Sequence, residues 1–467
     1  MEIKVLENAN NVPCEVIVVS MFEGEKTSQE LANKFALEKD NFEGKFGQTY
    51  LLHTLGQSCA EKILVLGLGK RDEFCPDKLR EAAAKAVKKL ISIKAKNAVF
   101  DLDVEAGKQA VTGALIGNYA FDKYKTEKAD RLDEVSFARF SQNDIDEAKI
   151  FGEALEFARN IANEPAQYAT PSKLAELAQS FNGLETRVFE RDEIEEMGMN
   201  AFLAVGRGSS QPPKFIHMKY TCANPQKKIA VIGKGICFDS GGLDIKPASS
   251  MLTMKDDMAG AACVLGVMSV LYKLNPQAEV HGIIAACENM PGDKAYKPGD
   301  ILTAKNGKTI EIDNTDAEGR LTLADALCYA NELGADEIID IATLTGACCV
   351  ALGSAAAGIM GNDEEFIQRL IETAGENGER LWQLPLYKEY KESLKSSVAD
   401  MKNTGSRFGG ASTAGVFLQE FIKDVKWAHI DIAGTAFLEK PEKEFIAGST
   451  GAGVRTLLGY IALDREE

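Results

Sequence analysis

The chain has 467 residues, of which 45% are hydrophobic and 26% are charged. This is the composition of an ordinary globular protein, and the length exceeds what one hydrophobic core usually organises, so we expect two domains. The formal net charge of -17 argues against binding to nucleic acid or to an anionic membrane surface, because both repel an acidic protein.

The N-terminus lacks the basic and then apolar layout of a signal peptide, and no apolar run reaches the roughly eighteen residues of a membrane helix. We therefore expect a cytoplasmic protein without a membrane partner. The ten cysteines include no Cys-x-x-Cys pair, and several lie in apolar segments. Reduced thiols are expected, and a disulfide or cysteine-zinc framework is not.

The N-terminal third alternates apolar segments with a helical one. Residues 16–19, 63–66 and 98–102 have the apolar composition of buried strands, and residues 78–91 have helical spacing. This order predicts an α/β domain over residues 1–150, of the macro-like type. Gly67-Leu68-Gly69-Lys70 follows a strand, but it lacks the full phosphate-loop pattern, and we interpret it as a turn.

A long helix is predicted at residues 144–163, with Asn143 as its N-cap and an apolar face. It ends before Pro165, and Thr170 and Pro171 begin the next helix. We interpret residues 151–170 as a linker helix between the N-terminal domain and a C-terminal domain over residues 171–467.

The C-terminal part repeats the α/β order. Residues 227–232, 280–287, 337–342 and 427–432 are predicted strands, and residues 258–274 form a predicted buried helix. We expect both domains to contain a mixed, mostly parallel sheet flanked by helices. Lys234, Asp239, Glu288 and the segment after Thr343 are predicted to follow strand ends, the edge where open α/β sheets bind ligands.

One octapeptide, Asn-Thr-Asp-Ala-Glu-Gly-Arg-Leu at residues 314–321, concentrates polar groups before a predicted helix that ends at Gly334. In an extended backbone Asp316, Glu318 and Arg320 would project to one side, because side chains alternate. Such a group suits a cation with an anion beside it. By itself it is more often a solvated surface, since the chain has 70 Asp and Glu residues.

The octapeptide resembles the signature of the leucyl aminopeptidase family, the dinuclear metallo-aminopeptidases of the cytosol. Residues 233–242, 246–247 and 255–261 resemble the other metal-binding segments of that family, in the same order and with similar spacing. The resemblance runs from about residue 160 to the end of the chain. It implies that residues 171–467 form a catalytic metallopeptidase domain.

By this resemblance Asp239 and Glu318 bridge two metal ions, Lys234 and Asp257 complete the tighter site, and Asp316 completes the exchangeable one. Four converging carboxylates would raise one another's pKa values unless cations neutralised them. Oxygen-rich ligands do not separate Mn²⁺, Zn²⁺, Mg²⁺ and Co²⁺ sharply, so the metal stays open.

The resemblance also implies how the site acts. Lys246 is the electrophile that hydrogen-bonds the substrate carbonyl, and Arg320 holds a bicarbonate that accepts the proton of the attacking water. The substrate is a peptide with a free α-amine, whose leucine-like side chain enters a pocket involving Met254, Thr343 and Gly346. Residues 448–451 depart from the family's apolar pattern, which leaves the leucine preference open. The family implies a homohexamer.

Two other functions fit some of these features. A two-metal phosphoesterase would use the same kind of carboxylate-bridged ions. A secondary role in DNA binding occurs in some members of the family, and the acidity of this chain argues against it. The histidines, His53, His217, His281 and His429, form no His-Glu-x-x-His motif and are expected to be structural. Ser240 is interpreted as a turn residue, not a nucleophile.

Overall fold

The computed structural model describes residues 1–9, 12–25 and 42–462 of the chain. The chain forms two compact units. The first contains Met1–Gly152 and, unexpectedly from the sequence, the short segment Lys440–Ala447. The second contains Glu153–Glu439 and Gly448–Glu467.

The first unit is built on a six-stranded sheet in which every neighbouring pair is parallel except β3 and β4. The strands, in the spatial order β1-β6-β5-β2-β4-β3, are β1 Glu2–Leu6, β2 Cys14–Met21, β3 Thr49–His53, β4 Ala60–Gly67, β5 Asn97–Asp101 and β6 Glu134–Ala138. Its two complete α-helices among the described residues are α1 Pro76–Ser92 and α2 Gly107–Asn118. A 3₁₀ turn spans Arg71–Glu73.

Both faces of this sheet are covered, which explains why the central strand β2 contains a continuous run of apolar residues. Val16 and Val18 on β2 belong to one buried cluster, and Ile17 and Val19 belong to a second cluster on the opposite face. The alternation of side chains along a strand therefore sends apolar groups into two cores.

Helix α3, Gln142–Asn163, crosses from the first unit into the second. Its N-cap differs from the prediction. The Ser141 hydroxyl accepts a hydrogen bond from the Asp144 amide at 3.1 Å, and Asn143 lies inside the helix. Both residue types favour N-caps, so composition alone did not distinguish them.

The second unit contains an eight-stranded mixed sheet. Its strands, in the order β15-β14-β17-β13-β9-β10-β8-β7, are β7 Glu185–Phe189, β8 Lys214–Tyr220, β9 Lys227–Asp239, β10 Ala278–Asn289, β13 Glu337–Ala342, β14 Ala357–Gly361, β15 Leu381–Gln383 and β17 Lys426–Asp431. Two small sheets comprise β11 Ile301–Thr303, β12 Thr309–Glu311 and β16 Met401–Lys402, and β18 Phe437–Leu438 with β19 Gly448–Ser449.

The remaining helices belong to this unit. They are α4 Pro171–Gln179, α5 Arg191–Glu196, α6 Asn200–Gly206, α7 Ala248–Met251, α8 Ala259–Leu274, α9 Gly319–Glu332, α10 Gly346–Leu352, α11 Glu364–Glu376, α12 Glu389–Glu392, α13 Gly410–Gln419 and α14 Val454–Ala462. A 3₁₀ turn spans Met254–Asp256. In the part of the chain that the structure describes, no helix is long and apolar enough to cross a membrane.

The central strands β9, β10, β13 and β17 lie between helices. Residues of α6, α9 and α13 share one buried cluster with one face of β9 and β13. Helix α8 approaches the same strands so closely that a Cβ at Gly260 would stand 2.1 Å from the Ile341 carbonyl oxygen. Glycine at this position therefore permits the packing. Each unit combines helices with a mixed, mostly parallel sheet, so the predicted fold class is confirmed.

Two strands are longer than predicted. Strand β9 continues to Asp239, so Lys234 lies inside the strand, and Glu288 lies inside β10. The predicted position of Lys234 and Glu288 after strand ends was therefore wrong. Asp239 is the last residue of β9, and Thr343 directly follows β13, which ends at Ala342. The glycines on either side of Lys234 led to a prediction that β9 ends too early, because glycine is uncommon inside strands.

Candidate metal-binding site

The loop at residues 314–318 forms a turn, with a hydrogen bond from the Ala317 amide to the Asn314 carbonyl at 3.3 Å. The backbone is therefore not extended here, as the alternation of side chains would have required. Helix α9 begins at Gly319, so Arg320 lies in its first turn. The side-chain amide of Asn403 fixes the turn by donating to the carbonyls of Asn314 and Ala317 at 2.7 and 3.3 Å.

Despite the turn, the predicted carboxylates meet. One oxygen each from Asp239, Asp316 and Glu318 lies within 4.8 Å of the others, an arrangement that could hold a metal ion. The three groups come from the end of β9 and from the loop before α9. Two motifs separated by more than seventy residues in the chain thus converge on one point.

Lys234 connects Asp257, from the segment at residues 255–261, to the other carboxylates. Its ammonium lies 2.7 Å from Asp257 Oδ1 and 2.9 Å from Glu318 Oε1, and it donates to the Thr343 carbonyl at 2.9 Å. Asp257 follows the 3₁₀ turn before α8, and the Thr343 hydroxyl donates to its Oδ1 at 2.8 Å. The other oxygen of Asp257, Oδ2, is buried and has no hydrogen-bond partner among the described residues.

Lys246 joins the other two carboxylates. Its ammonium lies 2.7 Å from Asp239 Oδ2 and 2.6 Å from Asp316 Oδ1. The turn at Gly241 and Gly242 that precedes it has positive φ angles of 88° and 67°, which favour glycine. Among the described residues, the ammonium groups of Lys234 and Lys246 thus contact all four carboxylates, and they offset at most half of the negative charge of the cluster.

Burial and mutual repulsion perturb the ionisation of the cluster. Burial raises the pKa of Asp257 well above its usual range, and burial together with nearby Asp239 raises the pKa of Asp316 to about 6. Burial opposes the charge of Lys234 and Lys246, but the surrounding carboxylates outweigh it and raise the pKa of both lysines. The cluster thus has a strong demand for positive charge.

Arg320 is buried and partly unsatisfied. Its Nη1 donates to the Asn403 carbonyl at 2.8 Å, whereas its Nε has no hydrogen-bond partner in the described part of the chain. Among the ion pairs of the described residues none includes Arg320, and burial lowers its pKa to about 10. A buried guanidinium with an unused donor is suited to an anion.

The residues expected to contact the substrate lie on two segments, the 3₁₀ turn before Asp257 and the stretch from the end of β13 to the start of α10. Thr343 contacts Asp257 as described above, Met254 begins the 3₁₀ turn before Asp257, and Gly346 begins helix α10. Met254 is half-buried and Gly346 is exposed. The structure thus connects Thr343 to the cluster directly and places Met254 and Gly346 at positions that solvent can reach.

Sequence reasoning missed Asn289, which contacts a candidate ligand directly, and Tyr296, which contacts only the loop beside the ligands. The Asn289 amide donates to Asp239 Oδ1 at 2.8 Å and to the Thr315 carbonyl at 3.0 Å. The Tyr296 hydroxyl donates to the same carbonyl at 2.7 Å. Asn289 follows Glu288 at the end of an apolar strand, and this position was the available signal for it.

His217, His281, His429 and Ser240 have structural contacts, whereas His53 is exposed at the end of β3. His217 and His281 are hydrogen-bonded to each other at 2.8 Å, and His429 is hydrogen-bonded to Asp340 within the core. The Ser240 hydroxyl donates to the Asn289 carbonyl at 2.7 Å. All ten cysteines are unbridged.

Comparison with known proteins supports the resemblance of the three motifs to an aminopeptidase family. The family model described as "Cytosol aminopeptidase family, catalytic domain" matches residues 156–458, and the model of the N-terminal domain of that family matches residues 18–128. A probable cytosol aminopeptidase from Aquifex aeolicus is 46% identical, covering 95% of this chain and 94% of the relative. One from Persephonella marina is 44% identical, covering 91% and 89%.

A solved structure of the bottromycin maturation enzyme BotP in complex with Mn is also similar. It has a TM-score of 0.88 and 32% sequence identity, covering 96% of this chain and 99% of the other. The family expected from the octapeptide is therefore confirmed, with a peptidase function and divalent metal ions as its general properties. On these findings the chain belongs to the cytosol aminopeptidase family.

Proposed function

We propose that this protein removes unblocked N-terminal residues, preferably leucine-like apolar ones, from peptides with the help of two divalent metal ions. The approach of the Asp239, Asp316 and Glu318 oxygens to within 4.8 Å of one another carries the proposal. Membership of the cytosol aminopeptidase family supports the general reaction. The preference, the number of metal ions and the roles of individual residues are what the resemblance of the motifs to that family implies.

The donor set fits two divalent cations. Asp239 and Glu318 would contribute to both metal sites, Lys234 and Asp257 would help to hold one ion, and Asp316 would help to hold the other. The buried, unpartnered Oδ2 of Asp257 supports the assignment, because such an acceptor is costly without a cation or donor. Lys234 would have to bind as the neutral amine, which requires the cations to lower its raised pKa.

Mn²⁺ is the first metal to test, since the similar BotP structure contains Mn, and Zn²⁺, Mg²⁺ and Co²⁺ are the alternatives for oxygen-rich ligands. Two such ions would supply Lewis acidity and would activate a water molecule near neutral pH. The protein residues then have to bind the substrate, orient it and move its protons.

Lys246 is the proposed electrophile. Its ammonium contacts Asp239 and Asp316 in this structure, and it would turn to the substrate carbonyl once those carboxylates are neutralised by cations. An ammonium group there can donate a hydrogen bond to that oxygen and stabilise the negative charge that develops on it.

Arg320 is the proposed holder of a bicarbonate ion, whose chemistry would be to accept the proton of the attacking water. The unused Nε and the absence of a carboxylate partner among the described residues support an anion there. The N-terminus of helix α9, in whose first turn Arg320 lies, would add to the attraction.

The substrate would enter past Met254, Thr343 and Gly346, with its free amine on the metal site that Asp316 completes. We further propose a cytoplasmic location, following the name of the family and of its relatives, and a homohexamer, which the resemblance to the leucyl aminopeptidase family implies. Sedimentation velocity of the full chain would test the oligomeric state, and a mass other than that of six subunits would overturn it.

The decisive experiment compares leucinamide with N-acetyl-leucinamide as substrates of the Mn²⁺-loaded protein. We expect hydrolysis of the free-amine substrate alone, and loss of that activity in Asp316→Ala. Hydrolysis of neither substrate with any divalent metal would overturn the aminopeptidase proposal. A phosphate monoester assayed in parallel would then test the phosphoesterase alternative.

A further inference from the structure

Asn289 is the last residue of β10 and is fully buried. Strand β10 pairs with β9 in parallel, and the register shifts between Cys287 and Asn289 so that Asn289 faces Asp239. Such irregularities commonly re-aim a side chain near a functional site. The shift therefore directs an amide at a carboxylate that the proposed function assigns to the metals.

The amide contacts leave Asp239 with one available oxygen. Asp239 Oδ1 accepts hydrogen bonds from the Asn289 Nδ2 at 2.8 Å and from the Gly241 amide at 2.9 Å. A carboxylate oxygen has about two lone-pair directions, and both are then used. Asp239 Oδ2 points the other way, to the Lys246 ammonium at 2.7 Å.

The orientation of the Asn289 amide is determined by its neighbours. Its nitrogen faces two acceptors, Asp239 Oδ1 and the Thr315 carbonyl. A flipped amide would place its oxygen against both of them, so the nitrogen must occupy this position. Asn289 Oδ1 is left buried with no partner among the described residues.

That unpartnered oxygen is a cost to stability. It faces Gly242, at which a Cβ would stand 2.9 Å from it. A buried acceptor without a donor destabilises the folded state. A residue that bears such a cost while donating to a ligand and to the neighbouring loop is better explained by the site than by packing.

We propose that Asn289 is a positioning residue that makes Asp239 a ligand through Oδ2 alone and ties it to the loop at residues 314–318. The inference rests on the proposed function, because it takes Asp239 to be a metal ligand. It adds a specific requirement: the geometry of the bridging carboxylate depends on a neutral donor outside the three motifs.

The test measures Mn²⁺ binding to the metal-free full-length protein by isothermal titration calorimetry. We expect Asn289→Ala to weaken binding of at least one ion by about tenfold or more, the usual effect of removing a partner of a metal ligand. Asn289→Asp, which has nearly the same shape but lacks the donor, should do the same. Thermal melting and size-exclusion chromatography establish that each variant is folded.

Tyr296→Phe is the matched control. It removes a hydrogen bond to the same Thr315 carbonyl but leaves Asp239 untouched, so its Mn²⁺ affinity should fall by less than about threefold. The activity of Asn289→Ala on leucinamide should recover substantially at high Mn²⁺ concentration. A role in general packing would not produce this metal-dependent rescue.

Wild-type Mn²⁺ affinity in folded Asn289→Ala and Asn289→Asp would overturn the inference, as would an equal loss in Tyr296→Phe. Failure of the proposed function has a different signature. In that case the wild-type protein would bind Mn²⁺ without hydrolysing leucinamide, and the affinities of the variants would still decide the role of Asn289. A wild-type protein that bound no Mn²⁺ would overturn both.

Discussion

Gly319 lies so close to Lys234 that a Cβ at residue 319 would stand 2.4 Å from the Lys234 Cε. Gly319 begins helix α9 directly after Glu318, whose Oε1 lies 2.9 Å from the Lys234 Nζ. The octapeptide therefore needs glycine at this position for a reason of space. Any side chain would displace the lysine from the carboxylates that surround it.

We accordingly predict that Gly319→Ala lowers Mn²⁺ affinity by about 10- to 100-fold and kcat/KM by a similar factor. Gly375→Ala is the matched control, because Gly375 lies in helix α11 and a Cβ there meets nothing within 4 Å. That change should leave activity intact and stabilise the protein by up to about 1 kcal/mol. Normal Mn²⁺ binding by Gly319→Ala would contradict the steric argument.

The two lysines of the cluster should differ in their effects when each is changed to methionine. Lys234→Met removes a proposed ligand and should weaken Mn²⁺ binding by about tenfold or more. Lys246→Met removes a positive charge that competes for Asp239 and Asp316. It should retain or strengthen Mn²⁺ binding while kcat falls by about 10²- to 10³-fold.

Calorimetry on the metal-free proteins and steady-state kinetics at saturating Mn²⁺ measure the two quantities separately. Equal loss of Mn²⁺ affinity in both variants would refute the division of roles. An unchanged kcat in Lys246→Met would refute its assignment as the electrophile.

Much of this site was accessible from the sequence because its residues occur in short, ordered motifs. Asp239, Asp257, Asp316 and Glu318 could be named from residue type and order, and the structure brings them together. The strands that position them are apolar runs of the kind that predicts buried strands. The polar motifs and the apolar strands beside them thus indicated the same part of the chain as the site.

The local backbone and the supporting contacts were not accessible. Residues 314–318 form a turn and not an extended segment, and this turn is held by Asn403, about ninety residues away in the chain. Asn289 likewise acts through a register shift between two strands. Such contacts join distant segments, and neither periodicity nor composition encodes them.

The buried His217 should make the protein less stable in acid. Burial, together with the positive charges of His281, Lys219 and Arg187, lowers the pKa of His217 to about 4, although Glu279 opposes this. Below the ordinary histidine pKa of about 6.5, the unfolded chain therefore binds more protons than the folded chain. The stability that the folded protein gains from holding His217 neutral is fully present above pH 6.5 and is lost as pH falls toward 4.

His217→Asn removes this titration, so the fall in Tm between pH 7.5 and pH 5 should be smaller in the variant than in the wild type. The difference in stability should be about 2–3 kcal/mol, or several degrees in Tm. His53→Asn is the control, because His53 is exposed at the end of β3. Equal pH dependence in the wild type and His217→Asn would refute the prediction.

The ion pair between Asp340 and His429 has the opposite dependence on pH. Both side chains are fully buried, and the Trp427 indole donates to the second carboxylate oxygen at 2.7 Å. Burial alone would lower the pKa of His429, but Asp340 outweighs it and raises that pKa. The stabilisation is therefore fully present below pH 6.5 and is lost as pH rises through the folded-state pKa.

Asp340→Ala should consequently cost about 3–5 kcal/mol at pH 6, because it leaves a buried histidine and indole without their acceptor. The cost should shrink at alkaline pH, where His429 is neutral in both states. Urea unfolding followed by tryptophan fluorescence suits the measurement, since Trp427 is buried whereas Trp382 is 62% exposed. A cost that stays constant from pH 6 to pH 9 would show that the pair contributes through packing and not through charge.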